Sequence, residues 1–180
     1  MNMSSVVTVI ARPDPSEHDP YYLRYISLVH DSDIVSALGR QASDTVSLLA
    51  GLSDAQANHR YAPEKWSVKE VVGHVADTER IMAYRALRIA RADPTPIEGF
   101  EQDDYVRAAQ FDHRPLASLL EDFASVRQAT LRLFRSLEGE AWTRIGVANQ
   151  KPISVRALAW IIAGHELHHR RILQEKYLTA

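Results

Sequence analysis

Four stretches of the 180-residue chain repeat their apolar residues with the period of an α-helix, and this repeat constrains the fold more than any other feature. Each stretch also carries start or stop signals, such as the Ser67–Glu70 capping box that opens the second one. The stretches are residues 33–50, 67–91, 115–138 and 155–176. Because their apolar faces must be buried against one another, we expect an all-α four-helix bundle.

The lengths of the links predict how the four helices are connected. The first and third links are short, which favours antiparallel neighbours, and we expect residues 140–153 of the third to form a loop. The middle link, residues 92–114, is long enough for a crossover and for a short helix at 102–109. The predicted topology is therefore up-down-down-up, which makes helices two and four antiparallel.

Composition excludes several classes of function. The chain has no cysteine, so disulfides, thiolate metal sites and cysteine nucleophiles are all ruled out. Its net charge of −2 gives no basic stripe for nucleic acid, and no apolar run approaches the length of a membrane span. The N-terminus has no basic region of the kind that opens a signal peptide. We expect a cytoplasmic protein with no nucleic-acid or membrane partner.

Two histidines of the fourth helix lie one turn apart on the same face. His165 and His169 are four residues apart, so their side chains project together. Their direction matches the apolar stripe that includes Leu158, Ile161 and Ile162, so both imidazoles should point into the protein. Two inward imidazoles at this spacing can supply two ligands to one metal ion.

A third histidine is expected at the same level of the bundle. His74 lies about seven residues from the start of helix two, and His169 lies about seven residues from the end of helix four. If these helices are antiparallel, His74 comes level with His165 and His169. The sequence thus predicts a three-histidine metal site. The simpler alternative, in which His74 is a hydrogen-bonded core residue, remains open at this point.

The same stretch also spells H-E-x-x-H, the pattern of zinc metalloproteases with Glu166 as general base. The longer form of that pattern needs glycine at 172 and histidine at 175, where this chain has Ile172 and Glu175. Little of the sequence indicates the strands that accompany such helices. Glu166 is also about 100° from His165 around the helix, so it should face away from the site. We therefore reject the protease interpretation.

Two motifs resemble those of the DinB-like superfamily, and most closely its YfiT-type metal-dependent hydrolases. They are the segment 66–79, WSVKEVVGHVADTE, followed by Tyr84-Arg85, and the later segment 164–169, GHELHH. The resemblance covers about residues 33–178. It implies a domain at 33–180 with an extension at 1–32, the up-down-down-up bundle, a homodimer, and metal ligation by His74, His165 and His169.

Three imidazoles would leave a divalent ion with open positions, which is typical of catalytic sites. The ion is expected to be zinc or nickel, with iron as a further candidate. The resemblance implies either a hydrolase or a low-molecular-weight-thiol S-transferase, acting on a small-molecule substrate that could itself be such a thiol. The alternative is a non-catalytic, stress-related metal-binding bundle that acts through its dimer interface.

Several other polar residues are compatible with more than one role. Asp77, one turn from His74, either orients that imidazole or is a surface carboxylate. Tyr84, Arg85 and Arg127 line the bundle or pair with acidic groups. The acidic run 101–104 is read as a solvated turn, although the whole segment 92–114 is long enough to cover the mouth of the site. We expect the remaining histidines of the first half of the chain at the surface: His18, His30 and His59.

Overall fold

The four long helices predicted from the sequence are present in the computed structural model, which describes residues 10–178. The helices are α1 (Leu23–Ile26), α2 (Ile34–Leu49), α3 (Asp54–Ala57), α4 (Val68–Ala90), α5 (Gln102–Ala109), α6 (Leu116–Arg135) and α7 (Val155–Ile172). A π-helical turn at Leu173–Tyr177 extends α7. The expected short helix in the middle link is α5. A strand considered at residues 6–10 falls almost entirely outside the described residues.

Three of the four long helices, α2, α4 and α7, begin where a side chain accepts hydrogen bonds from the first turn. Asp33 accepts from two backbone amides of α2, and Ser154 accepts from the amide of Ala157 at 3.0 Å. Ser67 and Glu70 form the expected capping box, with the Ser67 hydroxyl 3.0 Å from the Glu70 amide. These contacts satisfy amides that have no partner inside their own helix, which explains why the helices start at these residues.

Helices α4 and α2 each pack against both α6 and α7. The order around the bundle is therefore α2, α6, α4, α7. The short links join helices that lie diagonally across the bundle, rather than the neighbours that their lengths suggested. Helix α4 runs antiparallel to α7, since Val71 lines one small cavity with Leu173, and Met82 lines another with Ile161.

The hydrophobic core has two parts, one towards each end of the bundle. One part includes Met82 and Ile89 of α4 together with Leu158 and Ile161 of α7. The other includes the first turns of α4, the start of α6 and the π-helical turn after α7. On α7 the boundary between the two parts falls between Ala163 and Leu173, the stretch that carries His165 and His169, and on α4 it falls between Ala76 and Met82, just after His74.

The third link contains a β-hairpin, so the expectation of a loop at 140–153 was wrong. Strand β1 (Ile145–Ala148) pairs in antiparallel register with β2 (Lys151–Ser154). Asn149 and Gln150 form the turn with φ angles of +50° and +62°, as two-residue hairpin turns require. The strands are only four residues long and half of their residues are exposed, so they lack the alternating pattern that would have revealed them.

The hairpin also fixes the long middle link in place. The Ile97 amide donates to the Val147 carbonyl oxygen at 2.9 Å, and the Asn149 amide donates to the Ile97 carbonyl oxygen at 2.8 Å. These two hydrogen bonds hold the segment before α5 beside the hairpin. The link is thereby held next to the cavity described below.

The segment before α2 packs closely on α7. The Glu17 carboxylate accepts a 2.7 Å hydrogen bond from the Ser154 hydroxyl and pairs with the Arg156 guanidinium. Further along, Tyr25 lies so close to Gly164 that a Cβ at residue 164 would be 2.0 Å from the Tyr25 carbonyl oxygen. His18 of this segment is buried, so its expected surface position was wrong, whereas His30 and His59 are exposed as expected.

Within residues 10–178, no helix combines the length and the apolar character needed to cross a membrane.

Candidate metal centre

The three histidines singled out in the sequence come together in one cluster. The Nε2 atom of His165 lies 3.0 Å from that of His74 and 3.1 Å from that of His169. His74 stands in the second turn of α4, and the other two stand one turn apart on α7. The antiparallel packing of these helices therefore produces the convergence that the sequence predicted.

Burial keeps the three imidazoles uncharged. Desolvation lowers the pKa of His74 to about 4. Burial, together with the neighbouring imidazoles, also lowers the pKa of His165 and of His169 well below the ordinary histidine value. All three rings are therefore neutral at pH 7, which is the protonation state that a metal ligand requires.

The spacing of the nitrogens suits a shared cation better than hydrogen bonding among the rings. A neutral imidazole nitrogen carries either one hydrogen or one lone pair, so Nε2 of His165 can form a good hydrogen bond with only one of its two neighbours. Tetrahedral zinc with Zn–N distances of about 2.0–2.1 Å separates its ligand nitrogens by roughly 3.3 Å. The observed separations are close to this value, so the cluster can hold a divalent metal ion.

Aromatic and hydroxyl groups surround the cluster. The Trp66 ring lies against that of His74, with ring centres 4.6 Å apart, and is stacked with that of His169 at 6.4 Å. The Thr78 hydroxyl lies 3.4 Å from Nδ1 of His74, where it can accept that nitrogen's hydrogen and leave Nε2 free for a metal. Asp77 instead pairs with Arg80 at 2.8 Å, which agrees with its interpretation as a surface carboxylate.

Glu166 faces away from the histidines, as its position on the helix indicated. Its carboxylate accepts hydrogen bonds from Thr45 at 2.6 Å and from Arg127 at 2.7 Å. Arg127 is fully buried and also pairs with Glu79 at 2.8 Å. Burial raises the pKa of Glu166. The glutamate of the H-E-x-x-H pattern is thus part of a buried ion cluster that joins four helices, which supports the rejection of the protease interpretation.

A cavity of about 360 Å³ opens beside the histidines and has His74 and His165 in its wall. The N-terminal segment supplies one side of it, and the long middle link with the hairpin supplies another. Residues from all three pieces line it: Tyr21, Tyr22, Tyr25, Phe100, Glu101 and Asn149. The long middle link therefore does border the cavity, with Glu101 of the acidic run in its wall, whereas Tyr84 is exposed outside it.

Sequence reasoning missed the contribution of the N-terminal segment. Tyr25 makes edge-to-face contacts with both His165 and His168, at ring-centre distances of 5.3 and 5.4 Å. His168 is only partly buried and stays outside the cluster. The one usable signal was Gly164, since a glycine inside an otherwise good helix often marks a close approach of another backbone.

Comparisons with known proteins agree with this architecture. A protein from Bacillus pumilus (strain SAFR-032), named "Putative metal-dependent hydrolase", is 26% identical over 121 residues, which is 66% of this chain and 68% of the relative. The structure of YfiT from Bacillus subtilis, described as a probable metal-dependent hydrolase with an unusual four-helix bundle topology, superimposes with a TM-score of 0.73. At 16% identity it covers 91% of this chain and 89% of YfiT, and it supports the fold.

The family model of the DinB superfamily matches residues 37–173, which include all three clustered histidines and three of the four long helices in full. With the bundle and the histidine cluster in place, the chain belongs to the DinB superfamily.

Proposed function

We propose that this protein is a metal-dependent hydrolase that holds a divalent ion with His74, His165 and His169. The observation that carries the proposal is the convergence of three neutral imidazole nitrogens at the edge of a cavity large enough for a small molecule. A similar protein is named as a metal-dependent hydrolase, which agrees with this assignment.

Each part of the site has a role in the proposed reaction. When bound, a divalent ion acts as a Lewis acid and makes hydroxide available near neutral pH. Trp66 shields the imidazoles on one side, while the cavity admits substrate on the other. Thr78 keeps the His74 ring in the orientation that a ligand needs. Asp19 and Glu101, which both line the cavity, are the carboxylates available to accept or return a proton there.

Zinc and nickel are the proposed ions, with iron as a further candidate, because neutral imidazoles suit all three. Thiol transfer is a second proposal, which the cavity would allow if the substrate brought the thiol, since the chain has none. We also propose the up-down-down-up topology, the division into residues 1–32 and 33–180, and a homodimer. The antiparallel pairing of α4 with α7 supports the topology.

The metal content of single-histidine variants tests the site. We expect about one divalent ion per wild-type chain after zinc loading and dialysis. His74→Ala, His165→Ala and His169→Ala should each lose most of it, because two imidazoles hold a metal far more weakly than three. Elemental analysis together with isothermal titration measures the loss.

His168→Ala is the matched control, since His168 lies on the same helix but outside the cluster. It should keep the full metal content. Stoichiometric metal in all three cluster variants would contradict the proposal.

A substrate screen then separates hydrolysis from thiol transfer. Zinc-loaded protein is assayed with a panel of esters and amides, and separately with small thiols plus an electrophile. We expect turnover in the first panel that disappears in His165→Ala. Turnover only in the second panel would favour the transferase, and no turnover in either panel would favour a non-catalytic role.

A further inference from the structure

We propose that the cavity beside the histidines binds small molecules that carry a carboxylate, and that Arg85 in its wall binds that carboxylate. The inference rests on the proposed function, since it names the substrate class of the same site. Arg85 belongs to α4, and it lines the cavity together with His74 and His165. A ligand held by this guanidinium would therefore lie beside the histidine cluster.

Arg85 is buried without a counter-charge. Its side chain is only 2% exposed, and within residues 10–178 no carboxylate lies within ion-pair distance of it. One terminal nitrogen donates to the Glu98 carbonyl oxygen at 2.8 Å, the other lies 3.7 Å from the Met82 sulfur, and Nε has no acceptor. A buried charge without a partner is costly, so an anion entering the cavity would find a strongly favourable contact.

The other buried arginine shows that this arrangement is not general in the protein. Arg127 is buried between the helices of the bundle. Its guanidinium pairs with Glu79 at 2.8 Å and with Glu166 at 2.7 Å. The chain therefore supplies carboxylates to the arginine that lies away from the cavity. Among the described residues it offers no carboxylate to Arg85, which lines the cavity where a ligand can enter.

The groups around Arg85 leave its charge available. The Tyr22 phenol in the cavity wall is a hydrogen-bond neighbour of Arg85, but burial raises its pKa, so it stays neutral and supplies no negative charge. The Phe100 ring, centred 5.9 Å from the guanidinium carbon, adds an apolar wall. The cavity volume of about 360 Å³ lies within the range of small-molecule sites. The combination fits a compact acid with an apolar body.

The charges at the cavity favour a carboxylate over a phosphate. Asp19, Glu101 and the exposed Lys151 also line the cavity, and Lys151 lies 3.8 Å from Asp19. A doubly charged anion would meet these two carboxylates with only one buried cation to offset them. A singly charged, planar carboxylate matches one guanidinium in both charge and shape.

The test compares an acid with its uncharged amide. Affinities of the full chain for 3-phenylpropionate and 3-phenylpropionamide are measured by isothermal titration, in metal-free and in zinc-loaded protein. In wild type we expect the acid to bind at least about tenfold more tightly than the amide in both forms. Metal-free protein is included because a carboxylate could otherwise bind the metal instead of Arg85.

Arg85→Met should remove this preference while the zinc content stays unchanged. Arg88→Met is the matched control, since Arg88 lies one turn away on the same helix, pairs with Asp93 at 2.7 Å, and is outside the cavity lining. It removes the same charge and should keep the preference. If Arg85→Met fails to fold, Arg85→Lys is used instead. It keeps the positive charge but lacks the planar guanidinium, so it should show a reduced preference for the acid over the amide.

Several results would overturn the inference. They are equal or undetectable binding of acid and amide by wild type, an unchanged preference in the Arg85 variants, or tighter binding of phenyl phosphate than of 3-phenylpropionate. Zinc content measured on the same samples separates this failure from that of the metal site. If wild type prefers the acid but binds no zinc, only the metal assignment is contradicted. If wild type binds zinc but does not prefer the acid, only the role of Arg85 is contradicted.

Discussion

Individual residues of α7 are in close contact with other elements of the fold. Gly164 admits the Tyr25 backbone, His165 joins the cluster, and Glu166 enters the buried ion cluster with Arg127. Three consecutive residues thus point at three different partners, because successive residues on a helix are about 100° apart. Substitutions here should have distinct and separable effects.

Gly164→Ala should destabilise the protein by about 1–3 kcal/mol, because its Cβ would overlap the Tyr25 carbonyl and force the backbone segments apart. Gly39→Ala is the matched control, since Gly39 also lies inside a helix but its Cβ would meet only the Leu131 side chain, at 3.9 Å. That variant should gain up to about 1 kcal/mol from helix propensity. Urea unfolding measures both values, and equal effects would refute the close-approach argument.

Arg127→Met should cost about 3–5 kcal/mol, because it leaves Glu79 and Glu166 buried together without a cation. Glu166→Gln should cost much less, since Arg127 keeps Glu79 as a partner and the amide keeps the shape of the carboxylate. It should also retain the full metal content, because Glu166 faces away from the histidines. Unfolding and elemental analysis give the two readouts. Loss of metal in Glu166→Gln would contradict this assignment.

At the element scale, the N-terminal segment is attached to α7 through its own ion pair. Hydrogen bonding from Arg156 holds the pKa of Glu17 below its ordinary value. A carboxyl whose pKa is lower in the folded state stabilises the protein fully above the ordinary pKa of about 4.3, and this contribution disappears as the pH falls through the folded-state value. The attachment of the segment should therefore weaken in acid.

Glu17→Gln tests this pH dependence. The variant should be less stable than wild type at pH 7, and the difference in free energy of unfolding should stay constant down to about pH 5 and shrink below it. Asp31→Asn serves as control, because the Asp31–Arg40 pair is exposed and contributes little at any pH. Urea unfolding between pH 3 and pH 7 provides the measurement. A difference that does not change with pH would show that the Glu17 charge is unimportant.

At the scale of the whole molecule, the sequence predicted what depends on periodicity. The four long helices and the convergence of His74 with His165 and His169 follow from spacing along helices. Three other features do not follow from that spacing, because they depend on contacts between segments far apart in the chain. They are the diagonal placement of linked helices, the hairpin and the cavity wall formed by residues 10–32. The sequence draws attention to Arg85, but only its surroundings in the fold show that no carboxylate within residues 10–178 pairs with it.

The fit between Gly164 and Tyr25 has a consequence for interpreting related sequences. Tyr25 precedes residues 37–173, the part that matches the family, whereas Gly164 lies inside it. In a homologue that lacks the segment around Tyr25, no other backbone approaches this point of the helix. Such a homologue can therefore carry a larger residue at the position of Gly164. Glycine immediately before the first histidine of the H-x-x-x-H pair would then serve as a genomic marker. It would identify those homologues that build their pocket with the same N-terminal wall.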